Sequence, residues 1–208
     1  GAYDLVIAGG VESMSRAPTP PSFIPNAPLG PQYSPRMLER YPHLMPQGKS
    51  SELMNQRFHI TRGALDAYSA RSHERAAVAW AEGRFAAQIV ALHEDPADRE
   101  SPVVATDEGV RVHPDRAKMA ALKPVFGGAT TAANASQISD GAAALLIASR
   151  GYAERQHLTP RARVVISTAA AADPVIQFTA VLDATHKALK KSGLSVDEIA
   201  LFEVNEAF

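Results

Sequence analysis

The sequence predicts an α/β fold on three observations. These are an apolar run at residues 5–8, a long helical stripe over 61–83, and a strand, a helix and a second strand in succession between 162 and 204. Strand, helix and strand joined by short turns form a right-handed crossover, so the last two strands are expected to lie parallel in one sheet.

In chain order, Leu5, Val6, Ile7 and Ala8 followed by Gly9-Gly10 read as a buried strand meeting a tight turn. No initiator Met and no signal peptide precede that strand, and the last residues stop just after an apolar stretch, so the chain is expected to be an internal piece of a longer protein. The stretch 16–48 is crowded with proline, among them Pro18, Pro21, Pro28, Pro35, Pro42 and Pro46. Each fixes φ and removes a backbone donor, so neither regular helix nor central strand is expected there.

Over 61–83, Leu65, Tyr68, Ser72, Ala76 and Trp80 recur at spacings of three and four, with Thr61 as N-cap and Gly83 as the stop. The expectation is an amphipathic helix whose Tyr68 and Trp80 pack on a core. Residues 93–128 read as polar and irregular. Residues 142–148 and 162–172 read as buried strands, the second centred on Val164, Val165 and Ile166. Val181, Leu182, Thr185, Ala188 and Leu189 form a further helical stripe, with Lys187, Lys190 and Lys191 in the last turns and Gly193 beyond them, which suits the helix dipole. The final strand is 199–204.

Composition narrows the function. The 208 residues are 46% apolar and 21% charged with a formal net charge of −1, and no basic block stands out, so nucleic acid is not expected as a partner. The apolar runs are too short for a membrane-spanning segment. There is no cysteine, which removes disulfides, Cys-based metal sites and any thiolate nucleophile from these residues. The seven histidines are scattered without metal-ligand spacing, so no metal is expected.

Gly9-Gly10 with Glu12 fits no dinucleotide fingerprint, and no nucleophile-elbow sequence supports a serine triad. The densest cluster of small and hydroxyl-bearing residues is Thr130-Thr131-Ala132-Ala133-Asn134-Ala135-Ser136-Gln137-Ile138-Ser139-Asp140-Gly141. Small side chains let a ligand approach the backbone, and Ser, Thr and Asn offer neutral donors. By composition alone the run is ambiguous, and such runs are more often turns between elements.

Four segments taken together carry a resemblance: Ala8-Gly9-Gly10-Val11-Glu12-Ser13-Met14-Ser15, Ala79-Trp80-Ala81-Glu82-Gly83-Arg84-Phe85, Thr131-Ala132-Ala133-Asn134-Ala135-Ser136 with Asp140-Gly141-Ala142, and Asn205-Glu206-Ala207-Phe208. In this order they resemble the thiolases, acetyl-CoA C-acyltransferases, over almost the whole chain. The resemblance implies the thiolase fold, two similar halves stacked in five α-β-α-β-α layers. Residues 1–150 would be the end of the N-terminal half, including an inserted loop domain at about 11–139, and 151–208 the beginning of the C-terminal half.

In the family a cysteine takes the acyl group as a thioester and a second cysteine moves protons, while fixed donors stabilise the thioester oxyanion. The resemblance assigns Asn205 to the support of one oxyanion hole. It assigns Ala132, Ala135, Ser136, Ala207 and Phe208 to the CoA channel, and Arg111 to the CoA nucleotide end, where a guanidinium suits a phosphate. Gln137, Gln177 and Ala171 depart from residues common in short-chain biosynthetic members, and Pro46 stands where those members place a His near CoA, with His43 only a neighbour.

The nucleophilic Cys motif would lie upstream of Gly1 and the second Cys segment beyond Phe208, so the isolated chain is expected to be inactive. Acyl-CoA and CoA are the expected substrates, with no tightly bound cofactor, a homodimer or homotetramer for the parent, and a cytoplasmic setting. The leading expectation is a degradative 3-ketoacyl-CoA thiolase of fatty-acid β-oxidation. A biosynthetic acetoacetyl-CoA thiolase and a non-catalytic CoA-binding remnant are the alternatives.

Overall fold

The computed structural model describes residues 3–17 and 33–208, so residues 18–32 of the proline-rich stretch lie outside the described residues. Among these residues the elements follow as β1 (Leu5–Ser13), α1 (Pro35–Arg40), α2 (Gln47–Arg57), α3 (Arg62–Ala81), β2 (Leu92–His93), β3 (Val103–Val104), α4 (Arg116–Ala121), β4 (Asp140–Ala148), α5 (Arg150–Arg155) and α6 (Ala180–Ser192). The chain divides into two compact units, Gly1–Ser50 with Ile138–Asn205, and Ser51–Gln137 with Glu206–Phe208.

The first unit is built on β1 and β4, which pair antiparallel in unbroken register from Leu5 opposite Ala148 to Ser13 opposite Asp140. Gly9-Gly10 therefore does not end the strand as a turn. It sits mid-ladder opposite Ala144 and Ala143, and a Cβ on Gly9 would come within 2.9 Å of the Ala143 carbonyl oxygen. The far end of the ladder is fastened by Asp140, which accepts from the Ser15 backbone N–H at 2.9 Å and from the Ser15 hydroxyl at 2.5 Å. At the near end the Ser149 hydroxyl donates to Asp4 at 2.6 Å, and Ser149 also caps α5 by accepting from the Tyr152 N–H.

Both strands form as the sequence predicts, but they are not buried: every residue of β4 is exposed, and Ile7 and Val11 are 75% and 79% exposed. The two strands are held by their pairing with each other, and among the described residues no second layer covers either face. The predicted strands at 162–172 and 199–204 form no ladder, so the expected parallel pair is absent among the described residues. β-branched residues favour extended backbone, but a strand also needs a hydrogen-bonded neighbour. The 162–172 segment is instead tied to α6 by side chains, with the Thr168 hydroxyl donating to the Ala184 carbonyl at 3.1 Å and Lys187 Nζ donating to the Ala169 carbonyl at 2.8 Å.

Helix α6 ends where Gly193 takes φ 75°, a left-handed conformation that costs glycine nothing, with its N–H on the Leu189 carbonyl. Short helices also appear where prolines and polar residues argued against them. In α1, Pro35 occupies the first turn, where its missing N–H is harmless, and the Ser34 hydroxyl accepts from the Met37 N–H.

The second unit is organised by α3. Thr61 caps it, accepting from the Ala64 N–H at 3.2 Å, as its sequence position suggests. The 93–128 stretch, expected to be irregular, contains α4, whose N-cap Asp115 accepts from the Lys118 N–H, and part of a small β2–β3 hairpin closed by Asp95, Asp98 and Ser101. Among the described residues no helix is long and apolar enough to cross a membrane, and no group of three or more His, Cys, Asp or Glu could hold a metal ion.

Candidate functional site

The small-residue run 129–137 is a loop whose shape is set by two carboxylates, the buried Glu52 and the half-buried Asp66. Glu52 accepts from the Ala129 N–H at 2.9 Å and the Thr130 N–H at 2.7 Å, with Asn55 Nδ2 at 3.3 Å. Burial pushes the Glu52 carboxyl up, but these donors outweigh it and leave its pKa below the ordinary 4.5. Gly128 lies directly against this carboxylate, and an added Cβ there would clash with it.

The second carboxylate is Asp66 on α3. It accepts from Arg62 Nε at 2.8 Å and from Asn134 Nδ2 at 2.8 Å, while Asn134 Oδ1 accepts from the Thr131 N–H at 2.7 Å. Arg62 completes its own set by donating to the carbonyls of Leu122 and Met119. Thr130, Thr131 and Asn134 are therefore buried with their polar atoms paired, as low-dielectric surroundings require.

Held this way, the loop meets the three residues that end the chain. The Ser136 N–H donates to the Ala207 carbonyl at 2.9 Å, and the Phe208 ring packs edge-on against Phe126 with centroids 6.2 Å apart. Glu206 accepts from the Tyr68 hydroxyl at 2.9 Å and the Ser72 hydroxyl at 2.6 Å, two α3 residues one turn apart on the same face. The hydrogen bond to Glu206, then its negative charge, then burial raise the Tyr68 phenol above its usual pKa.

Between α3, the loop and this terminal segment lies a cavity of about 210 Å³, lined by Tyr68, Ser72 and His73 from α3, by Ala135 and Ser136, and by Phe208. Apart from Glu206, already engaged, it offers hydroxyls, the carboxamides of Asn134 and Gln137, and an imidazole beside small apolar walls. That chemistry suits an uncharged amide-bearing chain better than a phosphate.

Of the residues singled out from the sequence, Ala135, Ser136 and Phe208 line this cavity and Ala207 is bonded to its rim. Ala132 belongs to the same loop but is exposed and does not line the cavity. Arg111 is exposed, and its backbone N–H donates to Nδ1 of His73 at 3.1 Å. Asn205 is exposed at the end of the first unit, one residue before Glu206.

Tyr68, Ser72, His73 and Glu206 were not singled out as site residues. Tyr68 is 50% exposed with its hydroxyl committed to Glu206, not packed in a core as its place in the helical stripe suggests. The available signal was polar hydroxyls four apart with His73 adjacent, on a stripe otherwise made of Leu65, Ala76 and Trp80.

The family model for the thiolase N-terminal domain matches residues 1–151, and that for the thiolase C-terminal domain matches 158–208. The chain belongs to the thiolase family. The chain is 40% identical over 214 residues to the steroid 3-ketoacyl-CoA thiolase FadA6 of Mycobacterium tuberculosis, covering 100% of this chain and 51% of that protein. It is 41% identical over 218 residues to the peroxisomal 3-ketoacyl-CoA thiolase A of Rattus norvegicus, covering 100% of this chain and 48% of the relative.

Among solved structures it matches the dimeric peroxisomal thiolase of Saccharomyces cerevisiae with a TM-score of 0.86 at 32% identity, over 99% of this chain and 51% of that one. The thiolase fold expected from the sequence is thereby shown, and this thiolase chain spans about half the length of the relatives it matches.

Proposed function

We propose that this thiolase chain carries the CoA-facing part of an acyltransferase that cleaves 3-ketoacyl-CoA with CoA in β-oxidation. The observation that carries the reading is the meeting of two segments far apart in sequence, 133–137 and 206–208, around one cavity of neutral donors and small walls. Ala135, Ser136, Ala207 and Phe208 hold the pantetheine arm in this reading, with Ala132 beside them and Arg111 available to the nucleotide phosphates. The full names of the relatives, 3-ketoacyl-CoA thiolases, support the substrate class.

Asn205 supports an oxyanion hole in the same reading, because a fixed donor aimed at a developing thioester oxyanion lowers the barrier that the reaction must cross. The 208 residues contain no cysteine and supply no thiolate of their own, so we propose that alone they do not turn over. Residues 1–150 and 151–208 are proposed to belong to the two halves of the fold, in a homodimeric or homotetrameric cytoplasmic parent without a tightly bound cofactor.

The test is CoA-dependent cleavage of a 3-ketoacyl-CoA by the complete natural polypeptide. The expected result is turnover that falls about 100-fold in kcat on Asn205→Ala, the size of loss typical of one oxyanion-hole donor. Absence of cleavage by the unmutated polypeptide would overturn the reading.

A further inference from the structure

We propose that Tyr68, Ser72 and Glu206 form a positioning clamp: the two hydroxyls of α3 grip the Glu206 carboxylate and so place Ala207 and Phe208 as the wall against which the ligand lies. The inference rests on the CoA-binding reading above, but its geometry stands without it.

Each oxygen of the carboxylate receives one hydroxyl, Oε1 from Tyr68 at 2.9 Å and Oε2 from Ser72 at 2.6 Å. A carboxylate that accepts one bond on each oxygen from two points a helical turn apart is fixed in direction as well as in distance. The next residue is held by the Ser136 N–H on the Ala207 carbonyl, and the one after by the ring contact of Phe208 with Phe126. Three consecutive residues are thus each tied to a different element, and only the first tie is made by side-chain hydroxyls that can be removed without touching the backbone.

The clamp also removes the one negative charge at the cavity from competition with the ligand. Glu206 lines the cavity beside Ser136 and Phe208. An unengaged carboxylate there would accept hydrogen bonds from a ligand amide or repel a phosphate-bearing tail. With both oxygens occupied, the ligand meets the Ser136 hydroxyl, the imidazole of His73 and the Phe208 ring. The raised phenol of Tyr68 agrees with this arrangement, since loss of its proton would place two negative groups side by side.

The experiment uses the complete natural polypeptide with Tyr68→Phe/Ser72→Ala, Ser72→Thr, and the unmutated protein, with CoA as the varied substrate and amide hydrogen exchange read at Ser136. The double variant is expected to raise KM for CoA about ten-fold, with kcat moved less than three-fold, and to speed Ser136 exchange about ten-fold. Ser72→Thr, which keeps the hydroxyl, is expected to restore both to within two-fold.

Wild-type KM together with unchanged Ser136 exchange in the double variant would overturn the clamp. Global loss of protection in the double variant would also overturn it, by making the hydroxyls part of the fold's stability. If the unmutated protein shows no CoA-dependent turnover, the functional reading fails, and the clamp stands or falls on Ser136 exchange alone.

Discussion

The β1–β4 sheet and the 129–137 loop solve opposite problems. In the sheet the β1–β4 register is unbroken from Leu5 to Ser13, yet the apolar side chains Ile7, Val11 and Leu145 remain 75%, 79% and 68% exposed. In the loop the backbone follows no regular element, yet Thr130, Thr131 and Asn134 are almost fully buried and their buried side-chain polar atoms all have hydrogen-bond partners. Regular hydrogen bonding therefore fixes the register of the first, whereas side-chain carboxylates fix the shape of the second. A two-stranded ladder without a covered face gains little from its apolar residues, while a buried polar network is costly to break in part.

The largest expected effect lies in the loop. In the 208-residue chain, Glu52→Gln removes the charge that two backbone donors share and should cost about 2 kcal/mol of stability at neutral pH, read by urea denaturation. The folded-state pKa of Glu52 is depressed, so its contribution is complete above the ordinary 4.5 and is lost as pH falls through the lower folded value. The gap between wild type and variant should therefore close as the acid limb is crossed. A gap independent of pH would show that the carboxylate charge does not hold the loop.

A much smaller effect is expected from the sheet. Val11→Thr in the same chain should change stability by no more than about 0.5 kcal/mol, because the side chain is already in water and the ladder does not depend on it. A loss above about 1.5 kcal/mol would mean that this face is covered in solution, and the contrast between sheet and loop would disappear.

What could be read from the sequence follows the same divide. The helix α3 was legible from its stripe, Thr61 cap and Gly83 stop, and α6 from its stripe, its terminal lysines and Gly193, because local capping and periodicity decide both. The strands β1 and β4 were legible as strands, but their exposure was not, since β propensity says nothing about what covers a face. The runs at 162–172 and 199–204 have strand composition and no ladder, because pairing depends on a neighbour that local sequence does not specify.

At the site, the small-residue run and the last three residues could be picked out by family resemblance. Helix α2 could not, because its Ser51, Glu52 and Asn55 bury a polar face that hydrophobic periodicity cannot detect. Tyr68 and Ser72 were hidden for a related reason. Placed on a stripe of core-like residues, they read as packing until Glu206, over 130 positions later, is seen to accept from both.

The most direct test of the account is a CoA titration of the complete natural polypeptide followed by amide chemical shifts. The account predicts saturable shifts at Ala135, Ser136, Ala207 and Phe208 together, with the same dissociation constant at each. Saturable CoA binding that leaves these four unmoved, or moves the loop and the terminal segment with different constants, would contradict the claim that the two segments build one CoA site.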